Sequence, residues 1–254
     1  MTDQTLMDFE RHVYAVQRYV KFTQPRYDHL FKAAVPSHPV CCFGDPAKAV
    51  IVTVGANPSV GEFERRHWPS EQMAHKALAD RCRGYFTGGG ATPHQKFFGP
   101  WNEALKWLGT NYESGTVAHL DLSPRATRYI SDLKPGFESE LFLEMVQLDL
   151  WIFFATLDLC RNVKLLLIAG SVTDRYYINE FLQRFAPDYG HALGGAFVRA
   201  KSKGPGRVCW HELTNAERKL PVFFCGSGPA AKNPSLLGER ISEHAAHLNR
   251  VLER

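Results

Sequence analysis

The chain of 254 residues has no apolar run long enough to cross a membrane. Its longest strongly apolar stretch, 148–160, is broken by Asp149 and Asp158 and falls well short of the ~20 clean residues that a span requires. No CxxC pair occurs among the six cysteines, so neither a zinc knuckle nor an iron–sulfur cluster finds its ligand spacing. Cys41 and Cys42 are adjacent, while Cys82, Cys160, Cys209 and Cys225 are scattered; all six read as reduced thiols. GxGxxG and the Walker lysine are also missing, which excludes the two commonest phosphate-cradling loops. Internal repeats and low-complexity tracts are absent. The first twenty residues carry Asp3, Asp8, Glu10, Arg11 and Arg18 without an apolar core, so no secretory signal is expected. A strong charge of one sign is lacking too: 30 Lys and Arg against 26 Asp and Glu give +4. That surplus permits a polyanionic partner without demanding one. The expectation is a soluble cytoplasmic monomer with no membrane contact, no metal and no cofactor. His244 and His247, at helical spacing, are expected on the polar side of the last helix rather than on a metal.

What is present alternates. Residues 5–34 read as one or two helices, with Phe9, Val13, Val16 and Val20 at helical spacing. Pro36, Pro39 and Pro46 then mark a connector, which separates a helical extension (1–39) from the main α/β domain (40–254). Residues 50–54 (VIVTV) form an unbroken β-branched run, as in a strand covered on both faces. A helix is expected over 100–108, with Pro at its start and Gly109 past its end. Residues 116–122 read as a second strand. Leu141, Met145, Leu148, Ile152, Ala155 and Leu159 fall on one helical stripe. Residues 163–169 form a third strand, 173–185 a helix, and 221–225 a fourth strand. A hairpin (196–200 with 207–213, joined by KSKGPG) precedes that fourth strand, and a helix with Ile241, Ala245, Leu248 and Leu252 on one face ends the chain. Strands alternating with helices predict a mainly parallel, four-stranded sheet between two helical layers, α/β/α.

Ligands of such sheets bind outside the carboxyl ends of the strands. Those ends read Gly55-Ala56-Asn57-Pro58-Ser59, Asp121-Leu122-Ser123-Pro124-Arg125, Gly170-Ser171 and Gly226-Ser227-Gly228-Pro229. By itself GANPS is a strand-ending turn, with Gly for the bend and Asn-Pro to open the loop. In context, VIVTV followed by GANPS resembles the first motif of the uracil-DNA glycosylase superfamily. It is most similar to the branch with Gly-x-Asn-Pro, which holds the mismatch-specific uracil and thymine glycosylases. Gly84-Tyr85-Phe86 followed by Phe97-Phe98-Gly99-Pro100-Trp101 is similar to the family's base-stacking aromatic and its helix. VAHLDLSPRAT at 117–127 is similar to the strand that reads the base edge, and CGSGPAAKN at 225–233 to the loop that enters the minor groove.

The resemblance implies a monofunctional DNA glycosylase on a uracil-DNA glycosylase-like fold, acting on double-stranded DNA with a flipped base. Asn57 would orient the hydrolytic water. Phe86, or its neighbour Tyr85, would stack on the base, and Asp121 would read its edge. Gly55 and Ala56 would offer backbone amides. No histidine stands in the fourth-strand loop, where many relatives carry one; the candidate positions hold Cys225, Gly226 and Ser227, of which Ser227 is the expected catalytic group. Two core aromatics remain the competing reading of Tyr85 and Phe86. A capping or Arg125-paired carboxylate remains that of Asp121.

A water attacking a cation-like sugar needs orientation more than deprotonation, which a neutral amide can supply. The carboxyl at 121 is informative, because many uracil readers have Asn there. A carboxyl accepts from the exocyclic amine of cytosine, and burial favours its protonated form, which could also donate to N3. Ser59 is small where the most uracil-restricted relatives carry tyrosine, and Gly88-Gly89-Gly90 leave further room. The expected substrate is therefore a 5-substituted cytosine, hydroxymethylated or glucosylated as in some phage genomes, with a defence role implied. Lys232, Arg125, Ser123, Gly228 and Pro229 are the expected DNA contacts, with Arg65, Arg66, Lys201 and Lys203 among further loop cations. Two alternatives stay open: a uracil or thymine mismatch glycosylase with a structural Asp121, and a DNA-binding module without catalysis.

Overall fold

The computed structural model describes residues 3–27, 30, 40–56, 58, 73–88, 93, 95–125, 140–168, 178–199, 208–225 and 234–254. In chain order they form α1 (Asp3–Tyr27), β1 (Ile51–Gly55), α2 (His75–Arg83), α3 (Gln95–Leu105), β2 (Val117–Asp121) and α4 (Glu140–Leu159). Then follow β3 (Leu165–Ile168), α5 (Ile178–Phe185), β4 (Ala192–Arg199), β5 (Cys209–Thr214), β6 (Lys219–Phe224) and α6 (Pro234–Glu253). The class is α/β, as expected. The sheet, however, has six strands in the order β2-β1-β3-β6-β5-β4 and is mixed. β1 pairs with β3 and β3 with β6 in parallel, whereas β6–β5 and β5–β4 are antiparallel. The four-stranded expectation left the hairpin outside the sheet. β5 instead runs back along β6 from Cys209↔Phe224 to Thr214↔Lys219, and so extends the sheet by two strands.

The chain divides into two compact units, Met1–Ala47 with Gly55–Pro93 and His119–Arg161, and Lys48–Val54 with His94–Ala118 and Asn162–Arg254. In the first unit, α1 packs on α2 and α4. Phe9, Val13, Val16, Val20 and Tyr27 of α1 are all buried. The helix read as an extension is thus built into this core. α4 is buried around most of its circumference, from Phe142 and Met145 through Phe153, Phe154 and Leu157. Apolar residues on every side are what a wholly enclosed helix requires.

In the second unit, β3 (LLLI) is buried at every position, and its neighbours on both sides are parallel. Thr53, the one polar residue of β1, is satisfied by the Tyr112 hydroxyl at 2.6 Å. α3 begins at Gln95 and carries Pro100 within it, five residues earlier than the proline suggested. α6 lies against the sheet through His244 on Phe223 (5.2 Å between ring centroids) and His247 on Trp210 (4.6 Å). His244, half-buried, thus faces a ring of the sheet, contrary to the polar-side expectation, whereas His247 touches Trp210 with its side chain exposed, as expected. Burial pushes His244 below the ordinary imidazole range. Among the described residues no helix is long and apolar enough to cross a membrane. Nor do three His, Cys, Asp or Glu side chains among them converge to hold a metal ion.

All six cysteines are free and buried. Hydrogen bonds from Cys42 and Cys82 hold the Cys41 thiol well below its ordinary range. Burial, not low acidity, is what shields it. The native protein is expected to show no fast reaction with a thiol-disulfide reagent, and all six thiols are expected to titrate after unfolding in guanidinium. Rapid modification of Cys41 in the native state would contradict this packing.

Candidate functional site

Past the end of β2 the backbone remains paired with the end of β1. Leu122 N–H donates to the Gly55 carbonyl at 3.1 Å, and Ser123 N–H to that of Ala56 at 3.2 Å. The first two residues of GANPS are thereby held against Asp121-Leu122-Ser123. On β2, His119 and Asp121 are two residues apart and so share one face. His119 is fixed through its backbone by two bonds with Phe43, at 2.9 and 2.8 Å. Its Nε2 lies 3.3 Å from Asp121 Oδ1, with 1% of the His119 side chain and 8% of the Asp121 side chain exposed.

Both side chains lie over Gly55. A Cβ at that position would run into Asp121 Oδ1 and come within 3.0 Å of His119 Nε2 and 3.1 Å of its Cε1. Close approach, not backbone conformation, is why glycine stands here: Gly55 is not among the glycines with positive φ. The first residue of the motif thus makes the seat on which the carboxylate rests.

The aromatic residues form a continuous line. Phe86 packs edge-on against Tyr85 at 4.8 Å, Tyr85 tilts against Phe43 at 4.6 Å, and Phe43 lies 6.1 Å from the His119 ring. Tyr85 is fully enclosed, while Phe86 keeps 7% of its surface exposed. Of the two rings expected to stack on a base, only Phe86 retains any surface with which to do so.

Ser123 and Arg125, expected to meet DNA, are placed differently. Arg125 is buried, and its Nε and Nη2 donate to the Asp149 carboxylate at 2.9 and 3.1 Å. Its Nη2 also donates to Thr23 Oγ1 at 2.8 Å, and the guanidinium lies 4.9 Å over the Tyr27 ring. Ser123 donates to the same carboxylate at 2.6 Å, and Tyr19 completes the set at 2.8 Å. Buried and committed to Asp149, neither Ser123 nor Arg125 is presented to a phosphate. Burial alone would lower the Arg125 guanidinium, but the Asp149 carboxylate overrides it and holds the group above its ordinary value. Burial, then Asp149, push the Tyr19 phenol up; burial, then Glu144, push Tyr27 up to about 12.

The remaining expected site residues, Asn57, Ser59, Ser227, Gly228, Pro229 and Lys232, lie outside the described residues. Sequence reasoning missed His119, Phe43 and Asp149. His119 had a signal, its i−2 position from Asp121 on a strand. Asp149 had one too, as a carboxylate followed by the apolar run Leu150–Ala155. Phe43 had none, because its contacts come from a segment far along the chain. No protein-family model, curated protein or solved structure matches the chain.

Breaking one half of a buried ion pair strands the other charge and typically costs about 3–5 kcal/mol. Asp149→Asn is therefore expected to lower the free energy of urea unfolding by that amount. The double variant Arg125→Met/Asp149→Leu should be less destabilised than the sum of Arg125→Met and Asp149→Leu, as a double-mutant cycle over those two substitutions will report. The raised phenols give a second outcome. Their stabilisation is complete below the unfolded pKa near 10 and is lost as pH rises through the folded values. The urea midpoint should fall above about pH 10, and replacing Tyr19 and Tyr27 by Phe should flatten that fall.

Proposed function

We propose that the protein is a monofunctional DNA N-glycosylase that releases a flipped-out, 5-substituted cytosine and leaves an abasic site. With this reading goes a uracil-DNA glycosylase-like arrangement, a sheet enclosed by helices on both sides. The observation that carries it is the Asp121 carboxylate at the exit of β2, seated on Gly55, the first residue of GANPS. The two motif ends with the strongest family likeness are hydrogen-bonded to each other, and a line of rings leads from them to Phe86.

The chemistry then divides among few groups. Flipping costs a few kcal/mol, and stacking on an aromatic ring returns about 1–3 kcal/mol per base. Asn57, next in sequence after Ala56, orients water toward the anomeric carbon as the sugar gains positive charge. Backbone amides of the strand-end turns stabilise the charge that develops on the departing base. Ser227 and Lys232 would face the sugar-phosphate. Hydroxymethylated and glucosylated cytosines mark foreign DNA in a cell that does not make them, so their excision would serve defence against phage.

The test is mass spectrometry of free bases released from matched duplexes bearing cytosine, 5-hydroxymethylcytosine, its glucoside, or a uracil mismatch. Release of the 5-substituted cytosine is expected. Asn57→Ala should slow it at least ~100-fold while duplex binding stays within a few fold. Asp121→Asn should shift preference toward uracil. Uracil release alone would favour mismatch repair. Bound duplex with no base released would mark a binding module and overturn the proposal.

A further inference from the structure

Among the described residues Asp121 makes one side-chain hydrogen bond, between its Oδ1 and His119 Nε2 at 3.3 Å. The geometry around it is confined. The same oxygen lies where a Cβ of residue 55 would stand, room that only glycine leaves, and the backbone pairing with Phe43 fixes His119. With its proton on Nε2 the imidazole donates to Oδ1, and the free Oδ2 of the carboxylate it holds can only accept.

We infer that His119 is the positioning residue that sets base specificity, by holding Asp121 as an acceptor-only reader. The inference rests on the proposed glycosylase reading and deepens it. Its substrate class is a base whose edge presents an exocyclic amine N–H to Oδ2, with uracil-type bases excluded because their O4 meets another acceptor. In this reading Asp121 accepts from the exocyclic amine and does not donate to N3. Without the imidazole, either carboxyl oxygen is free to carry a proton and donate to a carbonyl.

The experiment compares single-turnover release of 5-hydroxymethylcytosine and 5-hydroxymethyluracil from otherwise identical duplexes, so that only the amine and carbonyl differ. Wild-type protein is expected to favour the amine-bearing base. His119→Phe keeps a ring beside Phe43 but no nitrogen, and should reduce the ratio about tenfold or more, with release of the uracil-type base rising in absolute rate. His119→Gln, which can still donate to Oδ1, should restore the ratio. Should His119→Phe fail to fold, His119→Asn, too short to reach the carboxylate, takes its place. A folded variant lacking the donor but keeping the wild-type ratio overturns the role of His119 while leaving the glycosylase reading intact. No release from any duplex by the wild-type protein overturns both.

Discussion

One buried carboxylate organises the first unit. Asp149 sits fully enclosed on α4 and receives Arg125, Ser123 and Tyr19. Arg125 in turn reaches Thr23 and lies over Tyr27, so a single charge pair gathers α1, α4 and the segment after β2. Two ions taken out of water are expensive to hold, and their mutual attraction offsets that cost only where the remaining donors and lone pairs are met. Here four donors converge on two oxygens, and the aromatic face of Tyr27 covers the cation. What such a network contributes is less net stability than a unique placement for the backbone it touches.

That placement reaches the candidate site directly. The clamp holds residues 123 and 125, and Asp121 is only two residues earlier. From the other side, hydrogen bonds to Gly55 and Ala56 hold residues 122 and 123. Asp121 is therefore fixed between two constraints of different kinds, an ion pair downstream and a strand pairing across. The seat on Gly55 adds a third, because only a residue without a Cβ lets the carboxylate lie so low. A group held this way loses little freedom on meeting a ligand, which is the condition for a reading group to discriminate.

How much of this was legible in the sequence depends on the range of the interaction. β1, β3 and α4 were visible because extensive burial imposes an apolar run; the stripe from Leu141 to Leu159 gives the extent of α4, but of its six residues only Met145 and Ile152 are buried and Leu148 is exposed. The start of α3 was misplaced, since Pro100 reads locally as a helix opener yet is accommodated within the helix. The extra strands were hidden for another reason: the short turn at 215–218, closed by Asn215 N–H on the Arg218 carbonyl, folds β5 straight back onto β6, and nothing apolar in that turn marks it. Arg125 looked like one of many loop cations until its partner on α4, 24 residues on, was in view. The pairing of Asp121 with Gly55 was anticipated as two motifs near one site. That they touch through a missing Cβ, with His119 beside them, was not, because no pattern of residue types encodes contact across strands.

Within the proposed function, the two features that select the substrate are unequal in kind. In that reading a small residue at position 59 would leave space beside the 5-position, and space tolerates a substituent without favouring it. Even a filled apolar pocket separates substrates differing by a methylene by only about 1–3 kcal/mol. A polar reader is stricter, since an acceptor set against a carbonyl leaves buried groups unpaired at about 1–3 kcal/mol for each. Selection of amine over carbonyl can therefore come from Asp121 and His119 alone, whereas preference for a hydroxymethyl or glucosyl group over plain cytosine cannot come from an opening. It requires donors or acceptors that meet the added hydroxyls. Glu62, Glu64, Arg65, Arg66 and His67, close in sequence to GANPS, carry groups of that chemistry. Edge and substituent are thus read by different parts of the chain, so a change in one preference need not carry the other with it.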